Sequence, residues 1–276
     1  MKKVYYNGRF FDASEVGIPL TDRAIWFGDG VYDAAIGKRQ KIYMIDEHLE
    51  RLVGNARRMD IPMFCSPSEL RKILTDMASY SGDVFLYFQL TRYSENRSHS
   101  YRDTDRSNLL ITATEISLPS PRATLKLISA RDVRYELCDV KTLNLIPSVL
   151  ASKAAAVQGA DETVFIRNGV ITECAHSNVS MIKDGALFTH PTDEHILPGT
   201  ARASLLRIAR SMGIPVREKA FGYAELLAAD DILVTSSSKL CLRAESLDGI
   251  SVGCEENSIA IRLCQAMRQE YEQYTG

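Results

Sequence analysis

Lys141 is the residue of this sequence whose surroundings best suit a reactive amine. It stands in the stretch LCDVKTLNLIPSVLASKAAA, just after a short apolar run and just before a predicted helix. A lysine amine at such a position can condense with an aldehyde and can later carry a proton. Because most lysines are solvated surface charges, Lys141 becomes a candidate only through the other groups that the chain supplies.

These other groups are a carboxylate, a cation and two hydroxyl-bearing turns, which together with an amine are what pyridoxal phosphate requires of a protein. Glu173 follows a predicted strand and can keep the pyridine nitrogen protonated, while Arg51 offers a cation to the phosphate. Thr200 stands at a predicted helix start, where backbone N–H groups attract a phosphate. Ser236 and Ser237 follow a predicted buried strand. None of these residues is specific alone, since a Gly-Thr pair before a helix is usually only a cap.

Turn residues and apolar spacing predict the elements that must position these groups. The pairs Asn7-Gly8, Asn168-Gly169 and Asp184-Gly185 each separate two β-favouring runs, which predicts three hairpins. A helix capped by Asp46 places Arg51 beside its apolar stripe. The sequence therefore predicts that Arg51 lies on a helix rather than in a loop.

The second half of the sequence alternates predicted strands and helices. A helix starts around Pro147 and ends at Gly159, and another opens at Gly199-Thr200. The run 231–234 predicts a buried strand that leads into four hydroxyl-bearing residues. The pattern favours an α+β fold, and the proline-containing segment 117–122 is the best candidate for a linker.

Length and composition restrict the class of protein. The chain has 276 residues, 45% hydrophobic and 25% charged, with a formal net charge of -2. Such a charge favours neither a nucleic-acid nor an anionic membrane partner, and no apolar run approaches the roughly 18 residues that span a bilayer. The N-terminal residues do not resemble a signal peptide. The six cysteines and five histidines lack the spacing of a metal site, so we expect reduced thiols, no metal and a cytoplasmic location.

Seven segments of the chain, in this order, resemble the class IV pyridoxal-phosphate enzymes: FGDGVYDAA, DEHLERL, YFQLTR, CDVKTLNLIPSVLASKAA, ITECAHSNVS, LPGTAR and ILVTSSS. That class includes branched-chain aminotransferases, D-amino acid transaminases and aminodeoxychorismate lyases. The resemblance implies the two-domain fold of the class (fold type IV). Residues 1–118 would form a smaller N-terminal α/β domain, and residues 123–276 a larger, β-rich domain that binds pyridoxal 5'-phosphate.

The resemblance also assigns roles to individual residues. It implies Lys141 as the Schiff-base lysine and Glu173 as the partner of the pyridine nitrogen. Tyr32 would lie beside the substrate. The phosphate would be held by the residues at four matching positions: Arg51, Thr200, Ser236 and Ser237. Members of the class are similar in being homodimers with active sites at the subunit interface.

One loop distinguishes among the members of the class. The polar segment 94–103 contains Arg97-Ser98-His99, and D-amino acid transaminases carry Arg-x-His at this place. There the pair acts with a tyrosine, matched here by Tyr32, on the substrate's α-carboxylate, and the loop comes from the partner subunit. The chemistry is suitable, because arginine offers a bidentate fork to a carboxylate and histidine adds a donor.

The sequence therefore predicts a transaminase that moves the amino group of a D-amino acid to a 2-oxo acid by a ping-pong mechanism, with Lys141 carrying the proton. Three alternatives stay open: a branched-chain L-amino acid aminotransferase, an aminodeoxychorismate lyase, and a cofactor-binding or cofactor-free protein without turnover. The chain departs from D-amino acid transaminases at Cys174, His176 and Ala201. These departures leave the side-chain preference and the strength of phosphate binding open.

Overall fold

The computed structural model describes residues 3–93, 96–253 and 258–276, and the chain divides into two compact units. The first contains the described residues up to Leu118 together with Val140–Asn144 and Tyr274–Gly276. The second is built from Pro119–Asp139 and Leu145–Gln273. Each unit combines sheet and helix, which confirms the predicted α+β class. Ser94 and Glu95 of the predicted polar loop lie outside the described residues.

The first unit has an antiparallel sheet with helices packed on it. Its elements are β1 (Lys3–Tyr6), β2 (Arg9–Phe11), α1 (Arg23–Phe27), β3 (Gly30–Lys38), β4 (Lys41–Ile42), α2 (Ile45–Arg58), α3 (Pro67–Met77), β5 (Val84–Arg92) and β6 (Ser107–Glu115). The six strands lie in the order β2-β1-β6-β5-β3-β4. Apolar residues of α2, α3 and the sheet form one buried core, with Leu52, Leu74 and Phe88 among them.

Helix α2 carries Arg51, as predicted, but it begins differently. The helix starts at Ile45. The residue before it, Met44, has the left-handed conformation, and its side chain makes no capping hydrogen bond. Asp46 therefore lies inside the first turn, where a negative charge suits the helix dipole. The predicted cap at Asp46 is wrong by two positions, because the backbone at Met44 itself makes the sharp entry into the helix.

The segment 140–144 packs with the first unit although both of its flanks lie in the second. Tyr32 N donates to the Lys141 carbonyl oxygen (2.9 Å) and Leu143 N donates to the Gly30 carbonyl oxygen (3.1 Å). A Cβ on Gly30 would lie 2.7 Å from both the Leu143 side chain and the Leu90 carbonyl oxygen, and because the backbone oxygen cannot move aside, the close packing requires glycine there. The domain ranges 1–118 and 123–276 stay a prediction. The segment 140–144 falls within the second range but groups with the first unit, because its backbone pairs with β3.

The second unit has a larger mixed sheet. Its elements are β7 (Thr124–Arg131), α4 (Ile146–Val157), β8 (Glu162–Arg167), β9 (Val170–Cys174), β10 (Asn178–Lys183), β11 (Ala186–Thr189), α5 (Thr200–Ser211), β12 (Val216–Glu218), α6 (Tyr223–Leu227), β13 (Asp231–Ser236), β14 (Leu240–Leu247), β15 (Ile250–Ser251) and α7 (Ile259–Thr275). Eight strands follow the order β12-β11-β10-β13-β14-β7-β8-β9, and β15 pairs with β14. β7 is parallel to both of its neighbours, β8 and β14.

The three predicted hairpins are present. Each turn has two consecutive residues with positive φ: Asn7 and Gly8, Asn168 and Gly169, Asp184 and Gly185. These conformations belong to the tight turns that asparagine, aspartate and glycine favour, so local turn chemistry determines these connections. Among the described residues, no helix combines the length and the apolar character needed to cross a bilayer.

Candidate active site

Lys141 lies against aromatic side chains of the first unit. Its Nζ is 4.4 Å from the centre of the Tyr32 ring, and that ring stacks on Tyr87 with 5.2 Å between centroids. Tyr87 in turn donates its hydroxyl hydrogen to Gln89 Oε1 (2.7 Å). Burial, together with the nearby Tyr32, raises the pKa of Tyr87 above its usual range, so it stays a neutral hydrogen-bonding phenol. Lys141 is half-buried, and its amine lies beside this aromatic pair.

Arg51 is fixed by a carboxylate that the sequence interpretation missed. Its Nε and Nη2 each donate to Asp33 over 2.8 Å, and His48 Nδ1 lies 2.8 Å from the same carboxylate. Asp33 is fully buried in β3. Burial by itself would raise the pKa of Asp33, but Arg51 and His48 hold it well below its usual range. A charged residue within the apolar run VYDAAIG was the available signal, because a buried carboxylate requires a cationic partner.

Glu173, at the end of β9, is a buried carboxylate that receives donors from three directions. Arg134 Nη1 pairs with Oε1, while Asn178 Nδ2 (2.9 Å) and Leu197 N (3.0 Å) donate to Oε2. Only 6% of Glu173 is exposed. A buried carboxylate keeps its charge only when it is paired in this way, so the surroundings fit a group that must face a protonated ring nitrogen.

Arg134 is itself held by a second carboxylate. Its Nη2 lies 2.8 Å from Asp132 Oδ2 and also donates to the His195 carbonyl oxygen (2.9 Å). These partners outweigh burial, so the pKa of Arg134 is raised and that of Asp132 is lowered. The sequence interpretation missed Arg134, and no local pattern in RDVRYE identifies it, because its partner Glu173 lies 39 residues further along the chain.

Asn178 connects Glu173 to the start of helix α5. Its Nδ2 also donates to the Leu197 carbonyl oxygen (3.0 Å), and a Cβ on Gly199 would overlap its Oδ1. Gly199 is the N-cap of α5, and Thr200 is the buried first residue of that helix. The first turn of α5 contains no acidic residue, so its N–H groups can face an anion.

Ser236 and Ser237 lie at the end of β13, next to the strand that carries Asn178. Thr235 pairs with Asn178 across β13 and β10. Ser236 Oγ is 3.5 Å from Ser238 Oγ. Thr235 Oγ1 is buried and has no hydrogen-bond partner in the described part of the chain. The second unit thus places the hydroxyl-bearing turn beside the Asn178 strand, and the donor set of hydroxyls and helix N–H groups fits a phosphate.

Arg97 and His99 lie on an exposed loop of the first unit and share one neighbour. The Arg97 guanidinium carbon is 5.2 Å from the centre of the Phe27 ring, and the His99 ring is 5.1 Å from that ring. Within the described residues, no hydrogen bond, ion pair or ring contact joins either of them to Tyr32. The structure therefore brings Arg97 and His99 together but leaves Tyr32 with Lys141.

The three departures lie in the second unit. His176 is 49% exposed at its side chain, and its Nδ1 is 3.1 Å from Oε2 of the buried Glu162. Burial would raise the pKa of Glu162, but His176 and a hydrogen bond from Ser177 lower it. Cys174 is buried, and burial raises the pKa of its thiol well above the usual value. Cys174 is therefore a packed, neutral thiol, and Ala201 is buried near the start of α5.

The chain belongs to the class IV aminotransferase family, whose model matches residues 30–247. Class IV aminotransferases depend on pyridoxal phosphate, so this chain is a pyridoxal-phosphate-dependent aminotransferase. It is 32% identical over 99% of its length to D-alanine aminotransferase of Listeria monocytogenes (serotype 4b, strain F2365), 98% of which is covered. It is also 32% identical to D-alanine aminotransferase of Bacillus licheniformis, with 91% of this chain and 90% of the relative covered.

Solved structures with the same fold confirm fold type IV. The branched-chain aminotransferase of Thermoproteus uzoniensis, determined with norvaline, superposes with a TM-score of 0.88 at 21% identity, over 99% of this chain and 97% of the other. A putative 4-amino-4-deoxychorismate lyase of Legionella pneumophila superposes with a TM-score of 0.83 at 24% identity, over 94% and 97%. At these identities the likeness concerns the fold alone.

Proposed function

We propose that this aminotransferase moves the amino group of a D-amino acid to a 2-oxo acid. The observation that carries the proposal is the exposed loop with Arg97 and His99, in which a guanidinium and an imidazole both contact the Phe27 ring. Such a pair can take a carboxylate by two kinds of donor. The names of the relatives that match nearly the whole chain support the same substrate class.

Each of the chain's own groups has one task in the proposed reaction. Bound pyridoxal phosphate supplies an aldehyde and an electron-accepting ring. Lys141 would hold that aldehyde through its Nζ, and the same amine would move the proton that leaves the substrate Cα. Glu173 holds the proton on the ring nitrogen. Its own position depends on Arg134 and Asn178, which fix the carboxylate from two sides.

The remaining residues bind and orient. The phosphate is held by a cation, the start of α5 and hydroxyls, at Arg51, Thr200, Ser236 and Ser237. Tyr32 lies beside the reacting amine, since its ring is already in contact with Lys141. Arg97 and His99 bind the substrate's α-carboxylate. Because they make no contact with Tyr32 of their own chain among the described residues, we propose that their loop serves the site of a partner subunit.

A half-reaction measurement tests the proposed substrate class. The purified holoprotein is mixed separately with D-alanine, D-glutamate, L-leucine and L-glutamate, without any 2-oxo acid, and the cofactor's visible absorption is followed. We expect the D-amino acids alone to bleach the band and release their 2-oxo acids in stoichiometric amounts. Bleaching by L-leucine alone would replace the proposal by a branched-chain L-amino acid aminotransferase, an alternative that the fold leaves open. Pyruvate released from aminodeoxychorismate without an acceptor would instead indicate a lyase.

Covalent capture tests the role of Lys141 independently of the substrate. Reduction of the holoprotein with borohydride should attach the cofactor to one peptide, and mass spectrometry should place it on Lys141. The variant Lys141→Ala should carry no attached cofactor. Lys72→Ala is the matched control, because Lys72 is exposed on helix α3 and has no proposed role. Attachment to another lysine would remove Lys141 from the mechanism.

We infer a homodimer from the resemblance and from the outer face of α4. That helix buries Ala151 and Ala155, whereas Ile146, Val149 and Leu150 are each more than half exposed. An apolar face of this kind is unfavourable in water unless a second surface covers it. Light scattering on the holoprotein should give twice the chain mass. The substitution Leu150→Glu should shift the equilibrium toward the single chain. A cytoplasmic location stays a prediction.

A further inference from the structure

Helix α1 contacts the loop of Arg97 and His99 through a buried arginine. Arg23 donates from Nη1 to the Ser98 carbonyl oxygen (2.6 Å) and from Nη2 to the His99 carbonyl oxygen (3.3 Å). Only 3% of Arg23 is exposed. Hydrogen bonds from a charged donor are among the stronger ones, so Arg23 holds the loop by its backbone.

The side chains of the loop rest on the other end of the same helix. Phe27 receives both the Arg97 guanidinium and the His99 ring, and the Arg97 guanidinium carbon also lies 5.9 Å from the centre of the Trp26 ring. Cation–π and ring contacts of this kind restrict the rotamers of a long, exposed arginine. Helix α1 thus contacts both the backbone of the loop and the side chains of Arg97 and His99.

Helix α1 is itself anchored to the sheet. Its N-cap residue, Asp22, is buried and accepts hydrogen bonds from Ala24 N (2.9 Å), Thr91 Oγ1 (2.8 Å) and Asn108 Nδ2 (2.8 Å). Thr91 belongs to β5 and Asn108 to β6. A short helix held by three donors from its own first turn and two strands is a fixed support rather than a flexible one.

Asp29 links Arg23 to a second arginine, Arg92, which contacts the loop at Tyr101. Asp29 accepts from Arg23 Nε (2.7 Å) and from Arg92 Nε (2.9 Å). The guanidinium carbon of Arg92 lies 3.6 Å from the centre of the Tyr101 ring. Arg92 also donates to two backbone carbonyl oxygens after α2, at Met59 and Asp60. The loop is therefore held at Ser98, His99 and Tyr101 by two arginines that share one carboxylate.

We propose that Arg23 and Phe27 are positioning residues for the substrate's carboxylate site. Arg23 fixes the loop backbone and Phe27 fixes the starting orientation of Arg97 and His99, so that less order has to be imposed when a carboxylate binds. The inference rests on the proposed function, because it takes Arg97 and His99 to be the carboxylate-binding groups. Neither Arg23 nor Phe27 touches the substrate.

Steady-state kinetics of the holoenzyme with D-alanine separates positioning from chemistry. Arg23→Met should raise KM by about tenfold or more, since its two charge-assisted hydrogen bonds to the loop backbone are lost, and Phe27→Leu should raise KM by a few-fold. Turnover at saturation should change by less than about threefold, because the carboxylate is bound equally before and during the reaction. Arg23→Lys, which can still reach one carbonyl, should give an intermediate KM. Arg71→Met is the matched control, because Arg71 lies on α3 and pairs at the surface with Asp46.

Trp26 gives a readout of the docked loop that does not require activity. It is the single tryptophan of the chain and is 41% exposed beside Arg97. Acrylamide should quench its emission more strongly in Arg23→Met, Arg97→Ala and Phe27→Leu than in the wild type, because each change loosens the contact of the loop with helix α1. Arg71→Met should match the wild type. Unchanged quenching in Arg23→Met and in Phe27→Leu would overturn the proposal.

The two measurements also separate this inference from the proposed function. If the wild type responds to L-leucine and not to D-alanine, the proposed D-amino acid function fails. In that case unchanged Trp26 quenching or an unchanged KM for L-leucine in the variants overturns the inference, whereas increases in both support it with the other substrate. If Arg23→Met does not fold, Phe27→Leu decides, because Phe27 is only half-buried and the change conserves its apolar character. A fall in turnover with unchanged KM overturns the positioning role.

Discussion

Glu173 is 6% exposed and receives hydrogen bonds from a guanidinium, an amide side chain and a backbone N–H, whereas Arg97 and His99 lie on an exposed loop and rest on one phenylalanine ring. The buried group derives its orientation from strands and a helix start. The exposed pair derives its orientation from a loop that α1 holds at a few points. A cofactor stays the same from one turnover to the next, so its partners can be rigid. A substrate must enter and leave, so its partners need a surface position.

The largest expected effect concerns Glu173, the buried group of the two. Glu173→Gln keeps the size of the side chain but removes its charge, which would deprive the ring nitrogen of the ionic partner that we propose. We expect kcat to fall by about 10²-fold or more. The stability should fall by about 1–3 kcal/mol, because Arg134 keeps Asp132 as a partner. Stopped-flow absorbance and thermal unfolding measure the two effects. Glu115→Gln, at the exposed end of β6, is the control, and equal kcat values in both variants would show that Glu173 has no ionic role.

A substitution of the exposed Arg97 should change the affinity for the substrate rather than the turnover rate. Arg97→Ala is expected to raise KM for D-amino acids by about 10- to 100-fold, because a bidentate contact to the carboxylate is lost. Its thermal unfolding should match that of the wild type, since Arg97 has no buried partner among the described residues. Arg102→Ala, on the same loop, should leave KM unchanged. If Arg102→Ala and Arg97→Ala raise KM equally, the loop acts only through its general positive charge.

The connection between Asn178 and α5 should show a smaller effect, mainly on stability and cofactor retention. Gly199→Ala would push a methyl group into the Asn178 side chain, which we expect to cost about 1–3 kcal/mol. Gly54→Ala is the control, because a Cβ at that helical position of α2 meets nothing within 4 Å, and it should stabilise by about 0.5–1 kcal/mol. Thermal unfolding and the rate of cofactor loss on dialysis measure both variants. Equal behaviour would mean that the Asn178 contact relaxes without consequence.

The smallest expected effect concerns His176, whose paired side chain is more exposed than those of Arg51 and Arg134. The folded-state pKa of Glu162 is lowered, so this pair contributes stability above the ordinary carboxyl pKa of about 4.3 and loses it as the pH falls through the lowered value. His176→Ala should destabilise by less than about 1 kcal/mol near pH 6, after discounting for solvent screening. The difference from the wild type should vanish in acid. Unfolding curves from pH 3 to 6 test this, and a difference that persists at pH 3 would assign the effect to packing.

Local turn and helix signals account for much of what the sequence predicts correctly. Asn7-Gly8 and the two later pairs form their hairpins because their own backbone preferences decide the turn. Helix α2 carries Arg51 as predicted, although its start was wrong because Met44 adopts a conformation that residue type does not indicate. Elements whose cause lies within a few residues are thus predictable from one sequence.

The missed residues act through partners that are distant in the sequence. Arg134 meets Glu173 across 39 positions, and Arg23 meets Ser98 across 75. Apolar periodicity says nothing about which charge will pair with which, so only a resemblance or a structure can identify such residues. Asp33 is the exception, since a carboxylate inside an apolar strand already implies a cation nearby. The predicted site residues are the groups that we propose to face ligands, and the missed ones contact those groups or the loop that carries them.

The pairing of residues 140–144 with β3 has a consequence for synthesis on the ribosome. When Leu118 emerges, the first unit still lacks the segment that accepts a hydrogen bond from Tyr32 N and donates one to the Gly30 carbonyl oxygen. Val140, which is buried in the core of that unit, is missing as well. A nascent chain arrested just after Leu118 has left the exit tunnel should therefore be more susceptible to proteolysis than one arrested after residue 144 has left it. Lys141 thus emerges together with the segment that completes the first unit.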